Sequence, residues 1–127
     1  MEQEKLTYTN VYLKFKELFA GYDDFLDKTE KGNRIDPADG SHVPFEMAVV
    51  PFLLHLADIG DEESLRKAFA FLEQMATSED KEVQAVLQFS VLEPLADDDE
   101  GYAKIKRYLG KETLSYLPYL RQYLNID

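Results

Sequence analysis

VPFEMAVVPFLLHLADIG, residues 43–60, decides how this chain folds. Val49, Val50, Phe52, Leu53, Leu54 and Leu56 fall on nearly every face of a helix, which predicts a buried central helix over residues 44–60. Pro44 suits the first turn, where its missing N–H costs nothing, and Gly60 suits the C-terminal cap. Pro51 lies inside the segment and predicts a kink, because it removes one backbone hydrogen bond.

Downstream, Asp61 is placed to cap a second helix with Glu62 and Glu63 in its first turn. Leu65, Ala68, Phe69, Leu72, Met75 and Ala76 form its inner stripe. Ser78 opens another helix almost at once, with Val83, Val86, Leu87, Ser90, Val91 and Leu95 facing in, so the two form an antiparallel hairpin. Asp97 and Glu100 have the spacing of a capping box for a helix carrying Tyr102, Ile105, Tyr108 and Leu109, which Gly110 ends. KETLSYLPYLRQYL, residues 111–124, is a last helix with leucines at three- and four-residue steps, broken at Pro118.

Upstream, Phe15, Leu18, Phe19, Tyr22, Phe25 and Leu26 share one stripe of a helix over residues 10–28, where Gly21 marks a close approach. Three turn-forming pairs, Gly32-Asn33, Asp36-Pro37 and Asp39-Gly40, make residues 29–43 a long surface loop. No segment alternates as a strand does. The expected fold is all-α: one domain over residues 1–127, a compact bundle of five to six helices. The echo of Phe71-Leu72-Glu73 in Val91-Leu92-Glu93 admits a HEAT-like stacking of hairpins.

Composition narrows the function classes. An apolar fraction of 45% with 8 Phe and 8 Tyr is enough for a packed core. Cysteine is absent, so disulfides and thiolate metal sites are excluded, and a reducing compartment fits. The N-terminal MEQEKLTYTN lacks the apolar stretch of a secretory signal, and no uninterrupted apolar run reaches membrane-spanning length. A cytoplasmic location is expected.

The net charge is −11, and residues 61–100 concentrate it, with 12 acidic and 3 basic groups. Nucleic acid and anionic membranes are therefore poor partners, whereas a basic protein surface is the electrostatic opposite.

The chemistry of a catalytic centre is missing. His42 and His55 stand outside any H-x-x-x-H frame, so no zinc site is expected. His55 and Asp58 lie one turn apart and could pair on the helix surface. Asp36, Asp39 and Ser41 lack the calcium-loop spacing. Glu46, Glu73 and Glu93 lie among apolar residues, but the Glu-x-x-His motif of di-iron bundles is absent, and ordinary hydrogen bonds to each carboxylate are expected. Neither a phosphate loop nor G-x-S-x-G occurs. The expectation is a non-enzyme with no cofactor, metal or small-molecule substrate.

Five elements of the chain resemble a family of small, acidic, all-helical bacterial proteins. They are the apolar helix from Phe45 to Leu56, Phe71-Leu72-Glu73, Asp80 to Gln84, Phe89 to Leu95, and Leu109-Gly110 with Thr113. The first forty residues lie outside that resemblance. It implies uncharacterised domains, some of them immunity proteins that neutralise polymorphic or contact-dependent toxins. The implied function is an immunity protein that blocks a cognate toxin, a basic nuclease, with an acidic face. Asp97, Asp98, Asp99 and Glu100, with Asp58, Asp61 and Glu62 on a neighbouring end, are the candidate partner-binding residues. The alternative is a non-catalytic helical adaptor that binds a peptide through its tyrosine-rich C-terminus: Tyr102, Tyr108, Tyr116, Tyr119 and Tyr123.

Overall fold

Phenylalanines drawn from three helices meet at the centre of the molecule. The computed structural model describes residues 5–36 and 40–117, and all its regular elements are helical. Helix α1 is Val11–Glu17 and α2 is Asp23–Gly32, joined by a 3₁₀ turn at Ala20–Tyr22. Helix α3 runs His42–Ile59, α4 is Glu62–Ala76, and α5 comprises Lys81–Ala85, Val86–Leu92 and Glu93–Ala96 in continuous succession. Helix α6 is Asp99–Ile105, extended by the 3₁₀ turn Lys106–Tyr108, and α7 is Lys111–Leu114. Phe15 of α1 meets Phe52 of α3 edge-on at 6.1 Å and Phe71 of α4 at 5.5 Å, while Phe19 meets Phe52 at 5.0 Å. Such T-shaped pairs set each ring's positive edge against its neighbour's negative face.

The predicted central helix is central. Phe45, Ala48, Val49, Phe52, Leu53 and Leu56 of α3 are fully enclosed. By length and composition α3 could span a membrane, but these enclosed side chains place it as the core helix of this fold. It is not apolar contact on every face, however: Met47, Pro51 and Ile59 lie on its exposed side.

Pro51 is accommodated by a widened helix. Residues Phe45–Val49, immediately upstream, form a π-helical stretch. The same arrangement recurs in α5, where Val86–Leu92 is π-helical and Pro94 follows. A helix-interior proline leaves the carbonyl four residues earlier, Met47 or Ser90, without its usual donor, and a wider turn relieves the clash with the ring. The two π stretches pack against each other. The His42 ring nitrogen Nδ1 and the buried Ser90 hydroxyl, 2.7 Å apart, fasten the seam.

Several expected boundaries move. The single helix over residues 10–28 is broken at Leu18–Phe19, where Phe19 leaves helical geometry to place its ring in the core. A side chain at Gly21 would meet nothing within 4 Å, so that glycine marks no close approach. Helix α2 continues to Gly32, beyond the expected start of the loop at residue 29. Thr29 bonds back to the Phe25 carbonyl, and Glu30 is held by Tyr12 and Lys16, each at 2.6 Å. His42 belongs to a helix instead of the loop. Asp80, and not Ser78, caps α5, accepting from the Glu82 amide at 2.9 Å. Gly110 does not close α6 but stands at the N-terminal cap of α7. Pro118, Tyr119 and Tyr123 lie outside the described residues.

Candidate functional site

The seven acidic residues expected to form one binding face divide into two groups by the work they do. Asp61 caps α4, accepting from the Ser64 amide at 3.1 Å and the Ser64 hydroxyl at 2.7 Å, while the Tyr22 hydroxyl donates to it at 2.5 Å. Those donors, Tyr22 first, hold its carboxyl below the ordinary range. Gly60 turns the chain into this cap at φ 73°, a left-handed conformation that glycine adopts without strain.

Asp58 and Glu62 are neutralised from the side of α6. Lys104 reaches Asp58 at 2.8 Å, and Arg107 reaches Glu62 at 2.8 Å while also touching the Tyr108 hydroxyl at 2.7 Å. These contacts hold α6 against the junction of α3 and α4. Asp58 thus pairs with Lys104, while the His55 ring stacks on Phe25 with centroids 4.6 Å apart. Asp98 caps α6 by accepting from the Gly101 amide at 3.0 Å, the role expected of Asp97. The expected face is therefore interrupted by two cations, and Asp98 and Asp61 serve the fold.

Asp97, Asp99 and Glu100 remain exposed, with no ion pair among the described residues. Asp97 joins residues that the charge pattern alone did not single out. With Glu46, Phe89, Glu93 and Pro94 it lines a shallow groove of about 300 Å³ along the seam of α3 and α5. Phe89 also borders a wide-open depression of about 430 Å³ with Gln88, Ser115 and Tyr116. Phe89 is 47% exposed although its helix neighbours Val86, Leu87, Ser90, Val91 and Leu92 are buried. Its phase offers the signal: Phe89 falls outside the inner stripe of α5.

The three carboxylates considered for metal binding part ways. Glu73 is the trans cap of α7, accepting from the Glu112 amide at 3.0 Å and the Thr113 amide at 2.7 Å. Burial works against its ionisation, but the Thr113 and Glu112 donors outweigh it and hold its carboxyl below the usual range. Glu46 and Glu93 belong to the groove. Among the described residues no three His, Asp or Glu side chains converge on a metal position. The described tyrosines pack inward: Tyr108 stacks on Phe69 at 6.0 Å, and the Tyr116 hydroxyl donates to the Ala76 carbonyl at 2.9 Å.

No curated protein and no solved structure matches this chain. A family described as a domain of unknown function, DUF7674, matches residues 11–125. The match takes in α1, whose Phe15 lies at the centre of the core, and so extends further toward the N-terminus than the motifs of residues 45–113. The chain belongs to the DUF7674 family.

Proposed function

We propose that this chain acts by binding another protein and not by catalysis, and specifically that it is an immunity protein holding a basic toxin domain in a stoichiometric complex. One observation carries the reading. Glu46, Glu93, Asp97, Asp99 and Glu100 make no ion pair among the described residues, and an exposed phenylalanine stands beside three of them. A nuclease holds phosphate with positive charge, so an acidic surface of this kind docks quickly against it and blocks its site. Under this reading the partner is a protein in the cytoplasm, and the net charge of −11 makes nucleic acid and anionic membrane poor partners.

Co-expression with a toxin domain encoded in the adjoining reading frame tests it. Restored growth and a complex of equal stoichiometry support the immunity role. Unrelieved toxicity, with no co-elution at micromolar concentration, removes it for that pair. An adaptor that binds a peptide is the second reading, favoured by the concavity between Phe89 and Tyr116. The inward packing of Tyr108 and Tyr116 counts against its tyrosine-based form.

A further inference from the structure

We propose that the seam between α3 and α5 is the docking surface, with Phe89 as its anchor, and that its occupant is a partner segment presenting arginine or lysine beside an aliphatic side chain. The proposal rests on the protein-binding reading above and names the place and the chemistry of that binding.

The position of Phe89 is built, not incidental. Glu46 lies in the π stretch of α3 and Phe89 in that of α5. Each π turn shifts the phase of the residues around it, and such turns are frequent at functional sites. Phe89 lies off the buried stripe, 47% exposed, and contributes to the lining of both surface depressions. A large aromatic side chain left exposed beside a groove supplies apolar area that a partner can bury, as the aromatic anchors of interfaces do.

Charge selects the occupant. Glu46, Glu93 and Asp97 rim one recess, and no cation pairs with any of them among the described residues. The basic side chains Lys104 and Arg107 are engaged at Asp58 and Glu62. A ligand bearing phosphate or carboxylate is repelled here. The stem of an arginine or lysine covers an aromatic ring while its head reaches a carboxylate, and the guanidinium or ammonium group is attracted to the ring face. The open depression that Phe89 shares with Gln88, Ser115 and Tyr116 takes the adjoining aliphatic group.

The test is a titration of the isotopically labelled full chain with a short synthetic peptide alternating arginine and leucine, followed through backbone amide resonances. A peptide with glutamate in place of arginine is the control. The largest shifts are expected at Glu46, Phe89, Glu93 and Asp97. Phe89→Ser and Glu93→Lys should each weaken binding by about tenfold, and Glu79→Gln, at an exposed carboxylate already paired with Lys5, should leave it within about twofold. Phe89 is exposed, so Phe89→Ser should melt like the wild type, and Glu93→Lys gives an independent reading of the same surface.

Shifts centred on Asp99 and Glu100, affinity indifferent to Phe89→Ser, or no binding of the arginine peptide would overturn the proposal. A toxin captured equally by wild type and Phe89→Ser would also remove this surface, while leaving the immunity reading in place. Peptide binding at the seam in a chain that neutralises no toxin supports the surface and removes the immunity reading.

Discussion

The Glu73 carboxylate accepts a hydrogen bond from the Thr113 amide at 2.7 Å across forty positions of sequence. With the Glu112 amide at 3.0 Å, it satisfies the donors that a local cap residue would take, but from a different helix. Phe71-Leu72-Glu73 and Leu109-Gly110 with Thr113 are thus two halves of one device that closes α7 onto α4. Glu73→Ala leaves two amides without their charged acceptor and should cost about 1–3 kcal/mol. Urea denaturation measures the cost. Hydrogen exchange should quicken at Glu112 and Thr113 well before it does at Leu53.

Gly110 is required by the same contact. A methyl group there would overlap the Glu73 carboxylate, so Gly110→Ala must push the acid out of its cap. We expect a loss of about 1–3 kcal/mol in the wild type and a much smaller one in a Glu73→Ala background. Additive costs in that double-mutant cycle would show that the two positions act independently.

Acid should loosen both helix starts. Glu73 and Asp61 titrate below their ordinary range in the folded chain. A depressed folded value contributes stability that is complete above the unfolded value of about 4 and is lost as pH falls through the folded one. The wild type should therefore lose stability on going from about pH 5 to about pH 3, and Glu73→Gln should lose less over that window. Thermal melts across the series measure the slope; parallel curves for the two proteins would mean that Glu73 contributes nothing to it.

The central helix makes a sharper demand on the core. Leu53 is fully enclosed, and Leu53→Ala should cost about 2–5 kcal/mol through lost burial and the cavity left behind. Glu79 is exposed in a pair with Lys5, and Glu79→Gln should cost well under about 1 kcal/mol. Equal urea midpoints for the two variants would displace α3 from the centre of the fold.

Helix type and buried faces were legible because periodicity reports them directly. The stripes of α4 and α5 are buried as read, and Gly60 and Asp61 cap as read. What periodicity hides is change of phase. A helical wheel with a fixed angle carries no π turn, so the widening before Pro51 and Pro94 was not visible in it, although the wheel does leave Phe89 off the inner stripe. Charge runs mislead for another reason. Asp98 looks like surface charge but caps α6, and Lys104 and Arg107 neutralise Asp58 and Glu62 from a helix more than forty positions away. Glu73 needed a partner thirty-nine or forty residues on, which no local pattern announces.

The measurement closest to the central claim is the association rate between the full chain and a catalytically inactive toxin domain, followed as a function of ionic strength. Wild type should associate fast at low salt and slow steeply as salt rises. Reversing Glu93 and Asp97 to lysine should slow association and flatten that dependence, because the unpaired carboxylates beside Phe89 supply the attraction. A toxin domain that binds with the same rate and the same salt dependence after both reversals would contradict the account.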